Sequence, residues 1–279
     1  MISLSNISSL TNEGVRSLKG LTAIELISNS IIDEETLCQL PHLSHININH
    51  NSKISNACIR KLTQLRSLDI SYNSLIDSET VGKLTNLTAL NLSNNSKIDN
   101  ACISQLVFLC FLDISNNSKI SDEGTQFLLR LEYLNISQNG NITDVTVSRL
   151  GNLKHLILTS ESNGKITDAS LLRTPNLETL SFSGDVVGVT DASIQRLSHL
   201  TYLKLSHMSN ISDIAVSKLQ NLQILDLTNN FQITKEALKL YLIGEEKEEK
   251  DEGKKDGKRA KLKIIPAHKF DPHGRPAKV

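Results

Sequence analysis

The sequence predicts an α/β fold: a right-handed, horseshoe-shaped solenoid with a parallel sheet on its concave face and short helices on its convex face. Two observations support this prediction. The pattern Leu-x-x-Leu-x-Leu-x-x-Asn, followed by Ile and a capping residue, returns every 22 residues, as the copies from Leu65, Leu87 and Leu109 show. Within each copy, a stretch with the period of a strand precedes a stretch with helical spacing. A fixed period of this length is typical of stacked repeats and not of a closed globule.

The repeats occupy most of the chain. A partial repeat, with Ile2 and Leu4 in register, precedes ten full repeats. The full repeats begin at Leu21, Leu43, Leu65, Leu87, Leu109, Leu131, Leu153, Leu177, Leu200 and Leu222. We therefore predict one repeat domain over residues 1–243. The charged segment 244–279 is rich in Lys, Glu, Gly and Pro, and we expect it to be a disordered tail.

Each repeat opens with a predicted strand. In one copy, Ser67, Asp69 and Ser71 alternate with Leu68 and Ile70, which is the period of two expected of a strand with one buried face. The Asn at the ninth position follows, where its side chain can bond to backbone groups of a buried turn. We interpret these asparagines as structural: Asn29, Asn51, Asn73, Asn95, Asn117, Asn139 and Asn230.

A short helix is predicted after each turn. The residue after the second Ile is one that favours a helix N-cap, and acidic residues often follow it in the first turn. These capping residues are Asp33, Ser55, Asp77, Asp99, Ser121, Thr143, Thr167, Thr190, Ser212 and Thr234. Apolar residues then recur three positions apart, as Val147 and Leu150 do. Thr234 is expected to cap a last helix through Ala237 and Tyr241 that closes the end of the core.

This pattern resembles that of the leucine-rich repeat family, whose members bind other molecules along a curved surface. The segment from Ile142 to Leu150, which reads Ile-Thr-Asp-x-x-Val-x-x-Leu, is similar to the repeats of F-box-associated and bacterial effector members. The resemblance implies a non-enzymatic protein-binding module, with an effector of an intracellular bacterium as one origin. A substrate receptor in a ubiquitin ligase complex is an alternative, weakened because no F-box precedes the repeats.

The composition limits the classes of partner and the cellular compartments that suit this chain. Lys and Arg number 30, as do Asp and Glu, so no global charge attracts nucleic acid or membrane. No apolar run approaches the roughly 20 residues needed to span a bilayer, and the N-terminus does not resemble a signal peptide. Cys58 and Cys102 hold the same repeat position two repeats apart, about 10 Å at ~4.8 Å per repeat, too far for a disulfide. We expect a reducing compartment, the cytoplasm.

Three consecutive repeats depart from the pattern. The seventh has extra residues around Ser160, the eighth carries Asp185 to Gly188 where the Asn turn belongs, and the ninth has Met208 at the Asn position. Two interpretations stand side by side. The irregular loops are a bulged rim that contacts a partner, or they are drift in loops that tolerate insertions.

Repeat positions predict which side chains lie on the concave face. The third position places Phe111, Tyr133 and His155 on neighbouring strands, with Ile157 beside them and Tyr202 two strands further on. Exposed aromatic residues in a row are typical anchors of protein interfaces. The fifth position adds Asp69 and Asp113, which can receive Lys or Arg from a partner, and Lys204. We predict partner binding here; the alternative is that these rings only cover the sheet.

Catalysis, metal binding and nucleic-acid binding are the other activities to consider. No phosphate-binding loop, zinc-protease or nucleophile-elbow motif occurs, and His45 with His50 lacks a third metal ligand. We therefore expect no cofactor, no small-molecule substrate and a protein partner that the sequence does not identify. The basic run from Lys254 to Lys263 offers a further alternative, binding to an anionic surface or to nucleic acid, or nuclear import, against the simpler interpretation of a solvated tail.

Overall fold

A computed structural model describes residues 2–3, 11–159, 165–184, 186–234, 236–238 and 263–265. The chain divides into two compact units, Met1–Ile142 and Thr143–Val279. In both units short parallel strands alternate with short helices. The predicted α/β solenoid is therefore confirmed, repeat by repeat, in each unit.

The first unit contains seven strands and six helices among its described residues. They are β1 (Ile2–Ser3), α1 (Asn12–Arg16), β2 (Ala23–Glu25), α2 (Glu34–Cys38), β3 (His45–Asn47), α3 (Asn56–Ile59), β4 (Ser67–Asp69), α4 (Ser78–Gly82), β5 (Ala89–Asn91), α5 (Asn100–Ile103), β6 (Phe111–Asp113), α6 (Asp122–Thr125) and β7 (Tyr133–Asn135). The strands pair in chain order, and equivalent positions face each other, as in Leu68↔Leu90 and Leu90↔Leu112.

The second unit continues the same alternation. It contains α7 (Asp144–Val147), β8 (His155–Thr159), α8 (Asp168–Leu171), β9 (Thr179–Ser183), α9 (Asp191–Ile194), β10 (Tyr202–Ser206), α10 (Asp213–Val216), β11 (Ile224–Asp226) and β12 (Lys263–Ile265). Residues 236–238 are also helical. The rest of the last helix predicted after Thr234 lies outside the described residues.

The core lies between strands and helices and consists of the repeated apolar positions. Leu65, Leu68, Ile70 and Ile76 are at most 1% exposed, and their equivalents in the two neighbouring repeats are at most 2% exposed. Nine predicted capping residues, Asp33 to Ser212, occupy N-cap positions with extended backbone. Ser121 alone among these nine makes no side-chain cap bond.

A second set of bonds joins successive helices. The first helical residue of one repeat bonds to both the backbone N–H and the side chain of the next repeat's N-cap, an arrangement called here the clasp. In the first unit Asn56 donates to Asp77 and accepts from its N–H. In the second unit the chemistry is reversed: the carboxylate of Asp168 accepts from the hydroxyl and the N–H of Thr190. Both forms place one carboxylate against one donor.

The ninth-position asparagines form a buried ladder, as predicted. Asn73 donates to the carbonyl of Asn51, and its own Oδ1 accepts from the N–H groups of Leu75 and Ile76. The residue before each of these asparagines has a positive φ, for example 55° at Tyr72, although it is not glycine. This conformation points the Tyr72 N–H at the carbonyl of Ser93 in the next repeat, a hydrogen bond that offsets the backbone strain.

The irregular repeats have longer strands. β8, β9 and β10 each span five residues, whereas the other strands of the regular repeats span three. These three repeats lack the asparagine that turns the chain, so the ladder of backbone bonds runs on for two more residues. Met208, at the Asn position of the ninth repeat, is buried. Residues 160–164 and 185, where the extra residues fall, lie outside the described residues.

Three residues of the tail that we expect to be disordered form a strand in the structure. Lys263–Ile265 forms β12, which pairs in parallel with β11, with Leu225 opposite Ile264. Without it, β11 would be an edge strand with unpaired backbone groups, and two consecutive isoleucines suit that position. The remainder of segment 244–279 lies outside the described residues. No helix in the described part of the chain is long and apolar enough to cross a membrane.

Candidate functional site

The face of the sheet that points away from the helices, called here the open face, carries two columns of side chains. In the first unit the third repeat position supplies Ala23, His45, Ser67, Ala89, Phe111 and Tyr133. The fifth position supplies Glu25, Asn47, Asp69, Asn91, Asp113 and Asn135. Strand pairing brings equivalent positions together, so each column runs across neighbouring strands.

Phe111 and Tyr133 stack on each other at the starts of β6 and β7. Their ring centroids lie 4.2 Å apart and the planes differ by 12°. Both side chains are half-buried, so their outer edges remain in contact with solvent. Burial, with the nearby Asp113 carboxylate, raises the pKa of the Tyr133 hydroxyl, which therefore stays protonated at neutral pH. The sequence-predicted neighbours thus form one rigid apolar pair.

Asp69 and Asp113 hold equivalent positions two strands apart and bond in the same way. The Oδ1 of Asp113 accepts from the N–H and the hydroxyl of Ser115, at 2.9 and 2.6 Å, and its Oδ2 accepts from Asn135 at 2.9 Å. The carboxylate of Asp69 accepts from Ser71 and Asn91 in the same manner. These neutral donors fix the carboxylates on the open face without cancelling their charge.

A shallow cavity of about 240 Å³ lies on this face between β2 and β6. Its floor is low because Ser67 and Ala89 are small, while His45 stands on one side and Phe111 on the other. Glu25 and Asp69 are among its lining residues. The cavity therefore combines an apolar wall with carboxylates, which suits a side chain having both apolar and cationic parts.

The remaining predicted site residues lie on the second unit. His155 and Ile157 are on β8, opposite Thr179 and Ser181 of β9. The place of His155 beside Tyr133 stays a prediction. Tyr202 is half-buried on β10, where burial and the Asp226 carboxylate raise the pKa of its hydroxyl.

Lys204 has a partner within the second unit. Its Nζ lies 3.8 Å from Oδ2 of Asp226, whose side chain is 9% exposed. The Lys204 ammonium and the Asp226 carboxylate therefore compensate each other's charge. Lys204 therefore lies at the predicted place with its charge already compensated.

Sequence reasoning missed a set of exposed apolar residues in the segments that precede β6 and β7. Val107, Phe108, Phe127 and Leu129 are 40–56% exposed. The guanidinium of Arg130 lies over the Phe108 ring, 4.9 Å from its centroid. The signal was present in the repeats, since the position of Val107 and Leu129 holds Lys19, Pro41, Thr63 and Thr85 elsewhere.

A second stacked pair, His50 on Tyr72, was also missed. The ring centroids lie 4.2 Å apart with the planes at 16°, and Tyr72 is exposed. The two residues hold the positive-φ position of consecutive repeats. No group of three or more His, Cys, Asp or Glu side chains able to hold a metal ion occurs among the described residues.

Comparison with solved structures places these features in a known fold. A leucine-rich repeat protein of Leptospira interrogans superimposes with a TM-score of 0.50 and 23% identity, over 86% of this chain and 75% of that protein. The chain has the leucine-rich repeat fold. The yeast Rad7 structure, in complex with Elc1, matches with a TM-score of 0.58 and 16% identity, over 95% of this chain and 80% of that one.

A third leucine-rich repeat neighbour is larger. TLR13 in complex with the RNA ssRNA13 matches with a TM-score of 0.56 and 24% identity, over 82% of this chain. This chain spans only 39% of the matched TLR13 chain. No family model and no curated protein matches the sequence. Since all identities are below 25%, the likeness concerns the leucine-rich repeat fold and not a shared partner.

Proposed function

We propose that this leucine-rich repeat chain is a non-enzymatic module that binds a partner protein on its open face. The single observation that carries the proposal is the stacked Phe111–Tyr133 pair, flanked by Asp113. Two aromatic rings that are half-buried by their own fold lose little conformational freedom on binding, and such anchors dominate interface energies. The fold likeness supports the general role of an interaction scaffold.

The other candidate residues are proposed contacts on each unit separately. Asp69 and Asp113 supply fixed negative charge near the ring pair. His155 and Ile157 on β8, with Tyr202 and Lys204 on β10, are proposed contacts on the second unit. The hydroxyls beside the carboxylates donate to them, as Ser115 does to Asp113, and so help to hold the carboxylates in place.

The cellular setting of this module belongs to the same proposal. The four cysteines are free, which suits the predicted reducing compartment, the cytoplasm. An effector of an intracellular bacterium is one setting for this module, and a substrate receptor in a ubiquitin ligase complex is the alternative, both carried over from the repeat pattern of Ile142 to Leu150. Co-purification of a ligase scaffold tests the latter. The tail alternative falls largely outside the described residues, and of its basic run only Lys263 is described.

A capture experiment from eukaryotic cytosol tests the proposal. The full chain is compared with a Phe111→Ala, Tyr133→Ala double variant and with Phe231→Ala, a matched control whose ring is 68% exposed on the second unit. Circular dichroism first verifies that each variant folds. Loss of the captured protein in the double variant alone supports the open face. Equal capture by all three proteins excludes the Phe111–Tyr133 pair as the anchor, and a Tyr202→Ala variant then tests β10.

A further inference from the structure

The open face of the first unit has an unbalanced charge. Its two columns contain the carboxylates of Glu25, Asp69 and Asp113 and hold neither Lys nor Arg. The third-position column contains the imidazole of His45, and Arg66, which precedes β4, lies outside both columns. A surface of uniform sign attracts a partner of opposite charge and disfavours one of like charge.

These charges are not compensated from within. Asp69 and Asp113 accept bonds only from neutral hydroxyl, amide and backbone groups. Neither carboxylate has an ion-pair partner in the described part of the chain, and the side chain of Glu25, whose backbone pairs with β3, makes no hydrogen bond or ion pair there. The second unit differs, because Lys204 already lies beside Asp226. The first unit is therefore the part of the open face that is left to meet a cation.

The spacing of the carboxylates is regular. Glu25, Asp69 and Asp113 lie on β2, β4 and β6, so each is separated from the next by two strand intervals. With neighbouring strands about 4.8 Å apart, the interval is about 9.6 Å, and the whole row spans about 19 Å. A partner that engages all three carboxylates needs cationic side chains on one side at that interval.

Among the regular backbone conformations, a polyproline II helix matches this interval most closely. A polyproline II helix has three residues per turn and rises about 3.1 Å per residue, so every third residue returns to the same side after about 9.3 Å. An extended strand puts its third residue on the opposite side. An α-helix returns to the same side after seven residues, about 10.5 Å, and overshoots the row by about 2 Å over its length.

The cavity suits the same occupant. It lies between Glu25 and Phe111, and one face of the Phe111 ring is covered by Tyr133. The other side of the ring faces β5, where Ala89 is small enough to leave room above it. A guanidinium can stack on an aromatic ring while it donates to a carboxylate, and prolines of an extended segment pack well against aromatic walls.

We propose that the open face of the first unit binds an extended, polyproline II-like segment of a partner protein with Lys or Arg at every third position. The segment lies across the strands from β2 to β6. This inference rests on the proposed function and adds the chemistry of the partner to it.

Peptides provide the test. A fluorescent peptide with three arginines placed every third residue and prolines at the other positions is titrated into the full chain by anisotropy. The comparison peptide has the same length and the same numbers of arginines and prolines, but its three arginines are placed every second residue and the remaining prolines follow them. The protein variant is Asp69→Asn, Asp113→Asn. It is expected to fold, because the chain itself has Asn47, Asn91 and Asn135 at the same repeat position. The matched control, Glu13→Gln with Glu35→Gln, removes two carboxylates from outer helices.

The expected result is tighter binding of the regularly spaced peptide and a loss of roughly tenfold in affinity for each carboxylate removed, as charge-assisted bonds imply. Binding should also weaken with salt, and the helix control should bind as the wild type does. Equal affinity for both peptides, or an unchanged affinity in the Asp variant, overturns the inference.

The capture experiment separates the two proposals. If the Phe111 and Tyr133 changes abolish capture while the Asp69 and Asp113 changes do not, the cationic segment is wrong and the proposed function stands. If none of these four changes affects capture, both proposals fail.

Discussion

Asn95 offers a direct test of the buried asparagine ladder. Its side chain is 1% exposed and makes four hydrogen bonds. The amide donates to the carbonyls of Asn73 and Ile70, at 2.8 and 3.2 Å. Its oxygen accepts from the N–H groups of Lys97 and Ile98, at 2.9 and 3.3 Å. We expect Asn95→Ala to lower the free energy of unfolding strongly, because no side chain would replace these contacts.

The expected loss in unfolding free energy depends on which backbone groups lose their only hydrogen-bond partner. The Ile70 carbonyl also accepts from the Asn73 N–H, and Lys97 is exposed to water. The Asn73 carbonyl and the Ile98 N–H are left without a partner in a buried setting. Each unsatisfied buried group costs about 1–3 kcal/mol, so we expect a loss of about 4 kcal/mol.

Urea unfolding followed by circular dichroism measures this loss. The control is Ser96→Ala, an exposed neighbour whose change should cost less than about 0.5 kcal/mol. Contacts in a repeat array are mostly between neighbours, so the loss should appear as a shift in the transition of the first unit. A loss below about 1 kcal/mol for Asn95→Ala would show that water replaces the amide, and the ladder argument would then be refuted.

Three further predictions follow from other contacts. Asp168→Asn and Thr190→Asp should each lower the free energy of unfolding, whereas the double variant rebuilds the clasp with the carboxylate on the other residue. A double-mutant cycle measured by urea unfolding should therefore give a coupling energy of about 1–2 kcal/mol, and strict additivity of the two changes would contradict this expectation. Burial raises the pKa of the Cys102 thiol to about 12, so iodoacetamide at pH 8 should modify it about a thousandfold more slowly in the native than in the denatured chain, read by mass spectrometry. Hydrogen bonds from the side chain and backbone of Thr36 lower the pKa of Asp33. The ionised Asp33 carboxylate therefore stabilises the fold above about pH 4, and this stabilisation is lost as the pH falls through the lowered pKa. Asp33→Asn should accordingly flatten the acid end of a curve of unfolding free energy against pH.

Most of the fold is predictable from the sequence because nearest neighbours in a repeat array are set by the period. Leu68 pairs with Leu90, and Phe111 stacks on Tyr133, because each pair shares a position in consecutive repeats. The capping residues are predictable for the same reason. Local chemistry at one position then predicts the same bond in the next repeat.

What could not be predicted depends on residues outside the period. The pairing of Lys263–Ile265 with β11 joins segments that no repeat spacing relates. Lys204 and Asp226 do share a position in consecutive repeats, so the period predicts that they are neighbours, and only the 3.8 Å approach of their charged groups needed the structure. The exposure of Phe127 likewise depends on how the chain leaves α6, since helix ends vary by a residue or two.

The clasp has a consequence for how such a chain can lengthen. A tandem duplication brings the first helical residue of a repeat against a copy of its own N-cap. Duplicating the repeat of Thr167 and Asp168 would place a carboxylate against a hydroxyl, as in the present chain. Duplicating the repeat of Asp33 and Glu34 would place two carboxylates together. Gene duplication can therefore extend the second unit freely, whereas that copy in the first unit needs a compensating substitution.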